Sequence, residues 1–427
     1  MVRKPAARVV AILATLDTKG EEALFLKRRL AIRRYDARLV DVGILGDPSV
    51  PLGPGDVRRE WVSAGAGLGL DTVRTMRRDE AISTMGRGAG AVLKAWFRDG
   101  LLAGVLGIGG HQGTAIAGTA LQALPLGLPK VLLSTVASGN IRPFIGSSDI
   151  LVMSSVGDLL GGPNRVTRPV LARAVAVLVG MMEGRFDRHP GRDARPAVAI
   201  SALGNTHGAV TRVMGQLQAA EYEVVPFHAS GAGGTAMEEL VEEGLFSAVV
   251  DLTTHELLGE VWGYDIYRPV RPGRLTAAGR LGIPQVVAPG GLDYFVFGPP
   301  ETVPDRFRGR ATHYHNPYNT NIRATAEELQ RVGYTLGERL NEARGPRAFV
   351  YPLRGWSYIG AEGGPLWDPT ANDALRSAVR EVLHADVCYL EIDARINDPS
   401  FADEVVKVAK MFLARYRENR GPLELPG

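Results

Sequence analysis

The chain has 427 residues, 45% hydrophobic and 22% charged, with 52 Gly and 27 Pro, a composition that excludes a disordered or fibrous protein and fits a turn-rich globular one. Its formal charge of +3 is the small difference between 49 basic and 46 acidic residues, and no basic run carries interleaved aromatics, which argues against a nucleic-acid surface. No stretch approaches the roughly 18 uninterrupted apolar residues of a membrane span, and the start of the chain reaches Asp17 without a small-residue cleavage site, so a cytoplasmic protein is expected.

At about 100 to 200 residues per domain, this length predicts two domains. RVVAILATL is a continuous apolar run of the kind found in strands covered on both faces. DTKGEEALFLKRRLAIR follows with Ala23, Leu24, Leu26 and Leu30 near helical spacing, and ARLVDVGIL returns as a strand. A helix AISTMGRGAGAVLKAWFRDG, a strand LAGVLGIG, a helix TAIAGTALQALP and a strand PKVLLSTVA continue the alternation, which calls for a parallel sheet with right-handed crossovers. An Ala- and Val-rich helix over residues 167–183 leads to GRFDRHPGRDARP, residues 184–196, whose charge, Gly and Pro mark a linker. The rhythm then restarts with AVAISAL, VTRVMGQLQAAEY, EVVPFHA, AMEELVEEG and SAVVDLTT. Later pieces are PQVVAPGG, a helix ATAEELQRVGYTLGERLNEA before AFVYPL, a helix DALRSAVREVL before VCYLEID, and a closing helix. The expected fold is two doubly wound, mostly parallel-sheet α/β domains, residues 1–190 and 191–427, with a cleft between them. The single cysteine, Cys388, falls in one of these runs and is expected to be a buried strand thiol.

In open parallel sheets, ligands bind outside the carboxyl ends of the strands, where N–H groups and helix N-termini face a crevice. GIGGHQGTA, residues 107–115, sits at such a turn. It lacks the Lys of G-x-x-x-x-G-K-[ST] and places the last Gly of G-x-G-x-x-G one position late, at Gly113. No acidic residue stands about 20 positions beyond it, so a nicotinamide site is disfavoured. What survives is anion binding by N–H groups at a helix start, with Thr114 as a cap or phosphate ligand. LDTKGEE offers Lys19 to balance phosphate charge, Asp17 to hold Mg²⁺ through water and Thr18 as a cap. A second Gly-rich turn, FHASGAGGTA, supplies Gly231, Gly233, Gly234 and Thr235 for what is expected to be a different anion.

The histidines of the second half gather in turns: His207 in GNTHG, His228 in PFHAS, His255 beside Glu256 in LTTHE, and His313 and His315 in HYHNPYN. Such a set can move protons, and His228, His255, Glu256 and His315, with Asp293 nearby, are the preferred group. No H-E-x-x-H spacing is present, so no metal ligand is assigned. Arg274 and Arg323 are candidates to grip a carboxylate or phosphate. G-x-S-x-G is absent, which removes a serine-hydrolase elbow.

Set side by side, ATLDTKGEE, GIGGHQGTA, LPKVLLSTVASGN, FHASGAGGTAMEEL, DLTTHE, RLTAAGRLGIPQVVAPGGLDYFVFG, HNPYNTNIR and RINDPSFAD resemble the family of the tomato mosaic virus resistance protein and its bacterial relatives. The matching pieces run from Ala14 to Asp403. That resemblance implies an N-terminal ATP-binding domain, a second α/β domain and a homodimer. Carried over residue by residue, it implies nucleotide contacts at Thr15, Asp17, Thr18, Lys19 and Gly20, and at Gly109, Gly110, Gln112, Gly113 and Thr114. The expected function is therefore that of a protein that binds ATP with Mg²⁺ and uses it on a small anionic metabolite. His228, His255, Glu256 and His315 would bind or protonate that metabolite, and Arg323 would hold its anionic group. The alternative is a nucleotide-binding regulatory or protein-interaction module without turnover, which leaves room for a protein partner. A third reading has the His/Glu set hold a divalent cation.

Overall fold

The computed structural model describes residues 9–184 and 195–420. The chain separates into two compact units, Met1–His189 and Pro190–Gly427; most of the predicted linker, residues 185–194, lies outside the described residues.

The first unit is built on five strands: β1 (Val9–Ala14), β2 (Asp36–Asp41), β3 (Leu102–Gly109), β4 (Lys130–Ser134) and β5 (Leu151–Ser154). All pair in parallel, in the order β2-β1-β3-β4-β5. The unbroken apolar run of β1 has a direct cause in its two covered faces. Val10, Ile12 and Ala14 enter one apolar cluster, with Leu26 and Leu30 of the helix Leu16–Ile32 and with Leu171 and Leu178 of the helix Thr167–Glu183. Ala11 and Leu13 enter the other, with Met85 and Leu93 of the helix Arg78–Arg98 and with Ile116 and Ala120 of the helix His111–Gln122. The strand order reverses direction between β1 and β3, and crevices in doubly wound sheets open at such a switch point.

The second unit repeats the same logic with β6 (Ala197–Ala202), β7 (Glu223–His228), β8 (Ala248–Asp251), β9 (Gln285–Val287), β13 (Arg347–Pro352) and β14 (Cys388–Ile392), all parallel in the order β14-β13-β9-β8-β6-β7. Its switch point falls between β6 and β8. Between β9 and β13 the chain adds a separate antiparallel sheet, β10 (Tyr294–Phe297), β11 (Thr312–Asn316) and β12 (Asn319–Arg323), in the order β10-β12-β11. The alternation of parallel strands and helices matches the sequence expectation; the antiparallel insert does not, because its His- and Asn-rich strands read as turns. The helix Ala326–Glu342 starts where a capping box fixes it: Thr325 Oγ1 accepts the Glu328 N–H (3.3 Å) and Glu328 accepts the Thr325 N–H (2.8 Å). Cys388 lies on the edge strand β14 and is half-buried, with burial raising its thiol pKa. Among the described residues no helix is long and apolar enough to cross a membrane.

Candidate functional site

The switch point of the first unit opens into a cleft of about 630 Å³, within the range of small-molecule sites. Its polar end is made by the two turns that the sequence singles out. After β1, Thr15 opens the helix Leu16–Ile32 without any side-chain cap. Thr15 carbonyl accepts the N–H groups of both Thr18 (3.1 Å) and Lys19 (2.8 Å), and Lys19 leaves helical geometry, with φ −125° and ψ 18°, so the first turn stands off from the rest of the helix. Thr15, Asp17, Thr18 and Lys19 all face the cleft, and the Thr15 and Thr18 hydroxyls meet at 3.0 Å. After β3, Gly110 opens the helix His111–Gln122, again without a side-chain cap, and Gly110, His111, Gln112 and Gly113 line the same space. Gln112 lies against the Arg78 guanidinium. Of the first-turn donors after β1, the Leu16 N–H is taken by Asp41 (3.2 Å) and the Thr18 N–H by the Thr15 carbonyl, so the helix start at Gly110, whose first turn lines the cleft, is the better exposed of the two positive helix ends.

Three of the predicted contacts are instead packing positions. A side chain at Gly20 would collide with Ser49. A Cβ at Gly109 would come within 2.6 to 2.7 Å of the backbone of Gly113 and Thr114, so this glycine permits the tight strand-to-helix turn. Thr114 is buried, and its hydroxyl is shared between Gly109 carbonyl (3.3 Å) and Ser134 (2.7 Å) rather than turned outward.

Lys19 stands out electrostatically. It is only 9% exposed, none of the described residues accepts a hydrogen bond from its ammonium, and its nearest carboxylate, on exposed Asp158, is 4.0 Å away. A buried ammonium ordinarily has a close anionic or carbonyl partner. The cleft also carries apolar side chains, Val42, Ile44, Leu45, Val73, Met76 and Ile116, among which Arg74 and Arg78 add two guanidinium groups. Leu45 there is 75% exposed.

The second Gly-rich turn is already filled. Glu256 accepts the N–H groups of Gly231 and Gly234 (the latter at 3.1 Å), and a side chain at Gly234 would overlap its carboxylate, while one at Gly233 would strike the His228 carbonyl. Thr235 bonds back to the Gly231 carbonyl (2.8 Å) and accepts the Val270 N–H (3.1 Å). The anion expected for this turn is thus the chain's own carboxylate. Glu256 is fully buried and paired with Arg274 Nε (2.6 Å), whose other nitrogens hold Glu238 (2.7 Å) and both oxygens of Asp251 (2.9 and 3.0 Å). Burial pushes the Glu256 carboxyl upward against the pull of Arg274 and the two N–H donors. With no access to solvent, Glu256 is not available as a catalytic group, and Arg274 grips carboxylates of its own chain in place of a ligand.

Arg323 is corrected in the same way. Its guanidinium donates to Asp293 carbonyl (2.7 Å), Asp368 carbonyl (3.1 Å) and Asn372 (2.6 Å) while only 5% exposed. It ties the antiparallel insert to the helix Pro369–Val382 with two of its nitrogens, which leaves only its buried Nε without a partner. Asp293 is buried beside it with its carboxylate on Ser357 (2.6 Å), and burial raises its pKa. His255 is fully buried, its Nδ1 2.5 Å from the Gly291 carbonyl and its Nε2 3.2 Å from Asp265 without the alignment of a full hydrogen bond. Burial is the largest influence and disfavours its charge, but the Asp265 carboxylate, the Gly291 carbonyl and the nearby Glu256 carboxylate together outweigh it and raise its pKa. His207 begins a helix and contacts Thr211 (3.3 Å). Only His228 and His315 of the preferred set reach accessible space, and both line a second pocket, in the second unit. Among the described residues no group of three or more His, Cys, Asp or Glu is arranged to hold a metal ion.

One acidic position escaped the sequence reading. Asp41, at the end of β2, occupies the place where a dinucleotide fold holds a ribose hydroxyl, since β1, not β3, is the first strand of the sheet. Its carboxylate is fully buried and taken by the N–H groups of Leu16 (3.2 Å) and Gly43 (2.9 Å) and by Arg59 Nε (2.7 Å).

Comparison with known proteins places both units. Residues 8–187 match the model described as "Uncharacterised protein family (UPF0261) N-terminal domain", and residues 195–413 match the corresponding C-terminal domain. A UPF0261 protein of Clostridium tetani (strain Massachusetts / E88) is 38% identical over 399 residues, covering 93% of this chain and 97% of that one. One of Rhizobium meliloti (strain 1021) is 37% identical over 416 residues, covering 97% and 99%. The ToMV resistance protein Tm-1(GCR237) of Solanum lycopersicum is 34% identical over 346 residues, covering 79% of this chain and 46% of the tomato protein. With both domains matched in order and similarity extending over nearly the full length, the chain belongs to the UPF0261 family.

Proposed function

We propose that the first unit binds ATP with Mg²⁺ in the cleft at its β1/β3 switch point, and that the protein, a cytoplasmic homodimer in this reading, uses the nucleotide on a small metabolite. The observation that carries the proposal is Lys19: a largely buried side chain that lines the cleft beside the helix start at Gly110, with an ammonium that none of the described residues accepts a hydrogen bond from and only exposed Asp158 at 4.0 Å, calls for a phosphate. Asp17 and Thr18, on the same turn, are oxygen donors of the kind that hold Mg²⁺ through its water shell. The apolar end, from Val42 to Leu45 and around Val73 and Met76, suits a purine ring.

Calorimetry of the full chain is expected to give saturable ATP binding that tightens with Mg²⁺, with no comparable binding of NAD. Tight NAD binding without ATP binding contradicts the proposal. The second reading is a nucleotide-binding module that acts on a protein partner without turnover. It draws support from the tomato relatives, which are named for resistance and susceptibility to a virus. Metabolite-dependent ATP consumption favours the enzyme; ATP binding with no consumption across a broad metabolite panel favours the module.

A further inference from the structure

The antiparallel insert of the second unit has two unlike faces. Phe295, Phe297 and Ile322 point into an apolar cluster with Phe307. Alternation along β10 and β12 then puts Tyr294, Val296, Asn319 and Asn321 on the opposite face, where Asn321 stands across from Val296 on one side and His313 on the other. In β11 the register shifts between Tyr314 and Asn316, so His315 is the extra residue of a bulge, a device that re-aims a side chain. Asn319, Asn321, His315 and Tyr294 meet Asn205, from the loop after β6, and His228, from the end of β7, around a pocket of about 200 Å³. It opens at the carboxyl ends of β6 and β7, on the side of the sheet where doubly wound folds place their ligands.

Two properties of this pocket point to a ligand. Asn321 is only 4% exposed, yet among the described residues its side-chain amide makes no hydrogen bond, although it lines the pocket. Its amide is therefore open to the pocket and free to pair with a ligand. The remaining groups are set in complementary fashion. Asn205 donates to the Tyr294 hydroxyl (2.8 Å) and Asn319 donates to the Tyr267 hydroxyl (3.0 Å), so amide oxygens remain as acceptors and phenolic protons as donors. Burial raises the Tyr294 pKa, which keeps that proton in place. No ammonium, guanidinium or carboxylate lines the pocket. Its walls are held from behind by Asp265, which takes the N–H groups of Tyr267 (2.6 Å) and Val296 (2.7 Å), and by the His255 ring packed against Tyr267 and Tyr294.

We propose that this pocket binds a neutral polyhydroxylated molecule, a polyol or sugar about the size of a single sugar ring. Each hydroxyl of such a ligand is both donor and acceptor, which is what alternating amides and phenols can satisfy. Asn321 supplies the central amide, and His228 and His315 meet the ligand at the rim. The absence of charge from the lining selects against sugar acids and sugar phosphates.

The test is a calorimetric titration of the full chain, with and without ATP, against glycerol, erythritol, ribose, glucose and inositol, and against their charged counterparts glycerate, gluconate and glucose 6-phosphate. At least one neutral compound is expected to bind saturably. Asn321→Ala and His315→Ala should each weaken that binding by roughly three- to tenfold, the loss of one hydrogen bond; His315 is exposed, so its variant folds normally. The proposal is overturned by an absence of saturable binding to every neutral compound, by charged counterparts binding more tightly than their neutral parents, or by wild-type affinity in both variants. Because the titration without ATP does not depend on the first unit, failure here and failure of the nucleotide reading are separately visible.

Discussion

Arg274→Ala is expected to destabilise the second unit by about 3 to 5 kcal/mol, the usual cost of removing one partner from a buried charge group. Arg274 is 1% exposed and simultaneously pairs with Asp251 and Glu256, both buried, and with Glu238. Burial already pushes the Glu238 and Glu256 carboxyls upward, so deletion of the Arg274 guanidinium, the one they share among the described residues, leaves three carboxylates competing for protons in a low-dielectric interior. The damage should spread, because Glu238 also accepts the N–H groups of Leu275 and Ala277 at the start of the helix Ala277–Leu281, and Glu256 organises the Gly231–Gly234 turn. Arg274→Lys should recover only part of the loss, since one ammonium cannot reach three carboxylates in a planar fork. Urea unfolding monitored in the second unit measures both effects. A change within about 0.5 kcal/mol for Arg274→Ala would show that the cluster is incidental.

Lys19→Ala is expected to weaken ATP binding by about 1 to 3 kcal/mol, roughly 5- to 150-fold in Kd, with thermal stability unchanged or increased. The two outcomes belong together. Removing this ammonium takes away no hydrogen bond within the protein and only a 4.0 Å contact with exposed Asp158, while the phosphate loses its counter-charge in the complex. A structural lysine would behave in the opposite way, with stability falling and affinity preserved. Calorimetry with ATP and Mg²⁺, paired with a melting curve, distinguishes them, and unchanged affinity removes Lys19 from the site.

Much of the fold was legible because parallel strands covered on both faces need apolar side chains at every position, as β1 and β3 show, and because the intervening helices carry their own spacing. The first-unit cleft was legible for a related reason: Gly and Thr at strand-to-helix turns announce where the backbone is exposed. What the turns cannot announce is whether an internal group fills them. GIGGHQGTA and GAGGTA look alike, yet the first opens on a cleft and the second holds Glu256, 22 to 25 positions away in sequence. Glu256 next to His255 resembled a catalytic pair because adjacency says nothing about depth, and both proved fully buried. Asn205, Asn319 and Asn321 were missed because asparagine is a common turn former. The alternation in NTNIR carried the missing signal, since it puts Asn319, Asn321 and Arg323 on one face and Thr320 and Ile322 on the other.

The most direct test of the nucleotide assignment is photolabelling of the full chain with 8-azido-ATP and Mg²⁺, followed by peptide mapping. The predicted result is label on the peptides that form the apolar end of the first-unit cleft, at residues 42–45 or 73–81, competed away by ATP and reduced in Lys19→Ala. Competable label confined to residues 195–420, or no competable label at all, would contradict it.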